Sequence, residues 1–120
     1  MKVFFYSIDD ENNKISFNSF AKIENDYIVF QDKINQKTNI YLKILENKII
    51  INRKGNTIMN LELIQGKKTS GYYKNELGFE IDFIADCSNL AITKSRIDVS
   101  YAMILDNQVI SSHKIWIILR

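Results

Sequence analysis

The stretch Leu77-Gly78-Phe79-Glu80-Ile81-Asp82-Phe83-Ile84-Ala85 decides the predicted fold. Its odd-numbered positions are all apolar, whereas Gly78, Glu80 and Asp82 alternate with them. Successive side chains of a strand point to opposite faces, so this alternation predicts a β-strand with one apolar and one polar face. A helix would scatter the carboxylates around its circumference and interrupt the apolar stripe.

Strands of the same kind are predicted on both sides, most clearly over Lys37 to Leu45 and over Arg96 to Leu105. No proline occurs in the chain, and short polar turns recur between the strands. The predicted turns are Asn25-Asp26, Asn47-Lys48, Gly55-Asn56, Gly66-Lys67, Asn75-Glu76 and Asp106-Asn107. Gly55 and Asn56 are expected to reverse the chain because both residue types tolerate a positive φ.

These connections are too short for the crossovers that parallel strands need. We therefore predict an all-β protein: a single closed antiparallel β-barrel, a lipocalin-like or calycin-like meander of roughly eight to ten strands. The barrel is expected to occupy residues 1–120 as one domain.

Composition sets limits on compartment and partners. The net charge is +2, and the chain has no basic or acidic tail. Neither nucleic acid nor a membrane is therefore an expected partner. Cys87 is the single cysteine, which excludes an internal disulfide and favours a reducing compartment. The opening Met1 to Tyr6 is too short for a secretory signal, and Ile115 to Leu119 is too short to span a membrane. We expect a cytoplasmic protein.

The apolar faces of the predicted strands should converge in the barrel interior. The expected lining residues are Leu42, Ile44, Leu61, Leu63, Phe79, Ile81, Phe83, Val99, Tyr101 and Met103. A barrel of about eight strands is just wide enough to be filled by side chains or to hold one small ligand. Aromatic walls with a few polar groups suit a small apolar or amphipathic molecule with an acidic head. The candidate ligand-binding residues are Arg53, Leu61, Tyr73, Phe79, Ile81, Phe83 and Tyr101.

Arg53 is the charged residue of this set. It falls in phase with Ile49 and Ile51, which places it on the apolar face near a strand end. Its guanidinium could bind a ligand carboxylate through two parallel hydrogen bonds at the barrel mouth. The alternative is a structural arginine that bonds turn carbonyls or a neighbouring acid such as Glu80.

No cofactor, metal site or catalytic site is predicted, and we expect a protein that is not an enzyme. His113 and Cys87 are each the only residue of their type, too few for a metal site, and no local signature makes Cys87 a nucleophile. The acids Glu80 and Asp82 share a face that fits a solvated outer wall better than an acid–base pair.

Two surface clusters suggest other functions. Trp116 is in phase with Ile110 and Ile118 opposite the core face, so an alternative function is that of an interaction protein that forms a homodimer through an outer wall. The second cluster consists of Lys67, Lys68, Tyr72, Tyr73 and Lys74, which could stack bases and hold phosphates. The near-neutral charge favours a solvated strand instead.

From about Ile49 onward the chain resembles a known family. The resemblance rests on Ile51-Asn52-Arg53-Lys54-Gly55, Leu63-Ile64-Gln65-Gly66, Gly71-Tyr72-Tyr73, Leu77-Gly78-Phe79-Glu80-Ile81 and Ile97-Asp98-Val99-Ser100-Tyr101. The pattern is similar to the YwiB-like family of small bacterial calycin-like β-barrel proteins of unknown function. The family usually has threonine where Lys74 follows Tyr73. The resemblance implies a lipocalin-like closed barrel, and it implies no activity.

Overall fold

The computed structural model describes residues 1–35 and 37–120. Its strands are β1 (Lys2–Asp9), β2 (Lys14–Glu24), β3 (Tyr27–Gln31), β4 (Asn39–Ile44), β5 (Lys48–Lys54), β6 (Ile58–Ile64), β7 (Lys68–Lys74), β8 (Glu80–Ile92), β9 (Arg96–Leu105) and β10 (Gln108–Leu119). The predicted loop over 33–38 joins β3 to β4, and its residue Gln36 lies outside the described residues.

Every strand pairs antiparallel with its neighbours in sequence, and β1 pairs with β10. This last pairing closes the sheet, so the predicted single closed antiparallel barrel is confirmed, with ten strands in the described residues. The turns Asn25-Asp26 and Asp106-Asn107 have positive φ at both residues, from 51° to 67°. That geometry matches the right-handed twist of the flanking strands and explains why asparagine and aspartate occur there.

The meander gives the barrel two distinct ends. The connections over 10–13, 32–38, 55–57, 75–79 and 106–107 all lie at one end. We call it the arginine end, because the inward-facing Arg53 is near the tip of β5 there. The opposite end holds the other turns and both chain termini, where Lys2 N–H donates to Arg120 O (2.5 Å) and Arg120 N–H donates to Lys2 O (2.8 Å).

Side chains fill the middle of the barrel. The largest fully buried residues include Phe5, Ile40, Leu42, Ile49, Leu63, Ile97 and Ile117. Phe5 stacks on Phe17 with ring centroids 5.1 Å apart, and Phe30 lies 6.5 Å from Phe5. Of the residues predicted to line the interior, these are buried here as expected: Leu42, Leu61, Leu63, Phe83, Val99 and Tyr101. A packed centre leaves the ends and the outer wall as places for a ligand.

The predicted position of Phe79 is wrong. β8 begins only at Glu80, and Phe79 and Leu77 are exposed by 60% and 90% in the preceding turn. The cause is Asn75, whose Oδ1 accepts hydrogen bonds from the N–H groups of Leu77 and Phe79, both at 3.0 Å. An asparagine side chain that bonds its own following backbone forms a turn, and this overrode the alternating pattern.

Cys87 is fully buried on β8. Burial is the largest cause of the shift in the pKa of its thiol, and it raises that pKa. Little of the thiol is therefore thiolate at neutral pH.

Among the residues that the structure describes, no helix is long and apolar enough to cross a membrane.

Candidate ligand site at the arginine end

Arg53 points into the barrel and pairs with a buried carboxylate. Its Nη1 donates to Asp32 Oδ2 at 2.5 Å, and the side chains of Arg53 and Asp32 are 26% and 6% exposed. The guanidinium carbon also lies 5.7 Å from the centre of the Phe5 ring. The prediction of Glu80 as an example of an acidic partner is wrong: Glu80 pairs with Lys74 at 3.7 Å.

Asp32 is fixed by the turn that it begins. Its Oδ1 accepts hydrogen bonds from the N–H groups of Ile34 (2.9 Å) and Asn35 (3.1 Å), and its own N–H donates to Thr38 O (3.0 Å). The end of this loop, at Thr38, packs on Gly55. Any Cβ at position 55 would collide with the backbone of Thr38. Close approach is therefore the reason for glycine at this position, not the positive φ that we predicted.

A row of inward-facing residues extends from Arg53 across the neighbouring strands. Arg53 on β5 lies opposite Met59 on β6, Met59 lies opposite Tyr73 on β7, and Tyr73 lies opposite Ile81 on β8. All of them are partly buried, and the three that follow Arg53 pack against the core. The structure thus brings together the predicted residues Arg53, Tyr73 and Ile81 as one polar and two apolar members of a single row. We call this the Arg53 row.

Tyr101 and His113 face each other inside the barrel on β9 and β10. Their rings stack with centroids 5.1 Å apart and an interplanar angle of 22°. Burial raises the pKa of Tyr101 to about 12, although the charge of Arg53 opposes the shift, so the phenol stays neutral. Burial also lowers the pKa of His113, against the opposing charges of Asp9 and Asp10, so its imidazole is neutral at pH 7.

A hydroxyl–imidazole contact on β10 was not predicted from the sequence. Ser111 Oγ lies 2.9 Å from His113 Nε2, a distance found between a nucleophile and its base. A working pair also needs a third group that orients the base. The nearby Asp9 carboxylate instead accepts hydrogen bonds from Glu11 N–H, Asn13 N–H and Asn13 Nδ2. Within the described part of the chain, no cluster of three or more His, Cys, Asp or Glu residues could hold a metal ion.

A groove of about 460 Å³ lies on the outer wall over β8, β9, β10 and the end of β1. The small outward residues Ser100, Ala102 and Ser112 contribute to its lining. Its charged residues are Asp9, Asp10, Asp86 and Lys114. We call it the outer groove. Small residues from separate strands meet here only through the register of the sheet, so no local pattern in the sequence predicted it.

The titration of His113 gives a testable pH dependence. Its folded pKa is lowered below the unfolded value of about 6.5, so the unfolded chain binds more protons as the pH falls and stability should decrease below that value. We expect the free energy of unfolding to fall less steeply between about pH 7.5 and pH 5 in His113→Gln than in the wild type. Urea titrations across this range measure the slope, and equal slopes for both proteins would contradict the assignment.

Comparisons with known proteins agree with this fold. The crystal structure of the ywiB protein from Bacillus subtilis is similar with a TM-score of 0.66 at 17% sequence identity, covering 99% of this chain and 90% of that chain. A search of curated proteins found no match. The model of the family described as Domain of unknown function (DUF1934) matches residues 5–117. The predicted resemblance is therefore confirmed, and the chain belongs to the DUF1934 family of YwiB-like barrels, whose function is unknown.

Proposed function

We propose that the protein is a non-catalytic binding module that takes a small amphipathic molecule with an acidic head at the arginine end of the barrel. The observation that carries the proposal is the inward guanidinium of Arg53, partly exposed at the end of an otherwise apolar row. A site with one well-placed charged group among apolar walls is typical of small-molecule recognition.

The guanidinium has donors to spare. Arginine presents five N–H donors in a planar fork, and the Asp32 carboxylate engages Nη1. A second carboxylate approaching from the arginine end could use the remaining donors, while Met59, Tyr73 and Ile81 would contact the tail along the Arg53 row. Because the centre of the barrel is packed, the ligand would lie in the end of the barrel instead of crossing it.

Decanoate and decanol provide the test, because they share a tail and differ in the acidic head. We expect saturable binding of decanoate by isothermal titration calorimetry, with decanol about tenfold weaker, since a hydrogen bond to a charged group is worth about 1.5–3 kcal/mol. Arg53→Gln should remove the preference for decanoate. The matched control is Lys54→Gln, which deletes the same charge one residue later, where the side chain points outward over the Tyr41 ring.

Equal affinities for decanoate and decanol in the wild type, or no saturable binding of either, would overturn the proposal. Circular dichroism of each variant separates a lost contact from a lost fold, because Arg53→Gln leaves Asp32 without its cation. Arg53→Lys keeps a positive charge without the planar fork, so we expect decanoate affinity between those of the wild type and Arg53→Gln.

A further inference from the structure

The outer wall formed by β1 and β10 carries an unusual sequence of outward side chains. The outward residues of β1 are Lys2, Phe4, Tyr6 and Ile8, and Asp10 follows directly, held beside β10 by a hydrogen bond from its N–H to Ser112 O (3.1 Å). The outward face of β1, continued by Asp10, therefore has a cation at one end, an acid at the other and three large apolar side chains between them.

The end of this wall near the chain termini is aromatic and cationic. Phe20 on β2 is 80% exposed, and Lys2 Nζ lies 5.6 Å from the ring centres of both Phe20 and Phe4. The guanidinium carbon of Arg120 lies 5.4 Å from the Phe4 ring. We call Phe4 and Phe20 with these two cations the aromatic ridge. Exposed aromatic rings flanked by cations are common at protein interfaces.

The other end of the same wall is concave and acidic. It is the outer groove, where Asp9, Asp10 and Asp86 outnumber the single cation Lys114, and His113 is neutral because burial lowers its pKa. Tyr6 and Trp116 stand directly opposite each other in register between the ridge and the groove. A two-fold axis that runs across the strands at this pair would bring the cationic end of the wall in one molecule against the acidic end in another, twice.

We propose that this wall binds a second copy of the chain in an isologous dimer, with Lys2 and Phe4 of each aromatic ridge against Asp10 and Ile8 at the edge of the other copy's outer groove. An isologous interface must be complementary to itself. With the axis at Tyr6, the outward face of β1 meets this requirement: Lys2 faces Asp10 of the second copy, and Phe4 faces Ile8. Ile110, which was predicted to share an outer wall with Trp116, lies at the register shift of β10 and takes no part in this contact.

Charge exchange tests the proposal by its symmetry. Lys2→Glu places two acids together at both ends of the dimer, and Asp10→Lys places two cations together, so each variant should weaken dimerisation about tenfold or more. The double variant Lys2→Glu/Asp10→Lys restores opposite charges at both contacts and should recover the dimer. An equimolar mixture of the two single variants should form a heterodimer for the same reason.

Sedimentation velocity over a concentration series measures the association. The controls are Lys68→Glu and Asp82→Lys, exposed charges on β7 and β8 away from the β1–β10 wall. Trp116 is the only tryptophan, so its emission should shift to the red on dilution as the interface opens. A wild-type monomer at every concentration would overturn the proposal. A dimer that neither single variant weakens, or that the double variant does not restore, would also overturn it.

Discussion

Asp32→Ala should lower the free energy of unfolding by about 3–5 kcal/mol, because removing one partner of a buried ion pair strands the other. The carboxylate accepts hydrogen bonds from Arg53 and from the N–H groups of Ile34 and Asn35, and its side chain is 6% exposed. The substitution removes all three acceptor contacts at once. It also leaves the guanidinium in a partly apolar position over Phe5. Urea unfolding followed by circular dichroism measures the loss.

Two matched variants separate the contributions. Asp32→Asn keeps an oxygen for the two N–H groups and removes the charge, so it should cost less than Asp32→Ala. Glu24→Ala breaks the exposed ion pair with Lys22 (3.3 Å), and we expect a loss below about 1 kcal/mol, as for exposed pairs generally. Similar losses for Asp32→Ala and Glu24→Ala would show that the buried pair does not organise the arginine end.

Phe83→Ala should be comparably destabilising, with an expected loss of about 3–5 kcal/mol for truncating a buried phenylalanine. Phe83 is 3% exposed on β8, and its ring lies against Gly71, its direct partner on β7. The ring occupies the space that a Cβ at position 71 would fill. The matched control is Ile84→Ala, one residue along the same strand but pointing outward, which should cost much less. Thermal and urea unfolding give both values.

Gly71→Ala examines the same contact from the opposite side. A Cβ at Gly71 would collide with the Phe83 ring, so we expect a loss of about 1–3 kcal/mol from overpacking. In Gly71→Ala/Phe83→Leu the smaller side chain relieves the collision, and the combined loss should be less than the sum of the single losses. Additive losses would contradict the close packing of this pair.

Alternation predicted which residues face inward, because a period of two fixes the face of each side chain regardless of its partners. The short connections supplied the antiparallel order of the predicted barrel. It correctly placed Ile81, Phe83 and Ala85 of the deciding stretch. It failed at Leu77 and Phe79, where hydrogen bonds to Asn75 form a turn within the apolar pattern.

The sequence predicted only part of the candidate site. Arg53 could be placed on the inner face from Ile49 and Ile51 alone. Its partner Asp32 lies in the turn after β3, and only the register of β3, β4 and β5 brings the two together. The outer groove likewise depends on the alignment of small residues from several strands. Contacts of this kind are set by strand register, which a single sequence specifies weakly where residues are polar.

The hydrogen bonds between Lys2 and Arg120 join the two termini of the described chain at one end of the barrel. A short linker from Arg120 to Met1 would therefore span little distance, and the exposed turn over 75–79 lies at the opposite end. A circular permutant that begins in this turn keeps all ten strand pairings while removing the covalent connection between β7 and β8. In such a permutant only the pairing of β7 with β8 holds Tyr73 opposite Ile81. The Arg53 row then lies beside the new termini, where it is accessible to protein engineering.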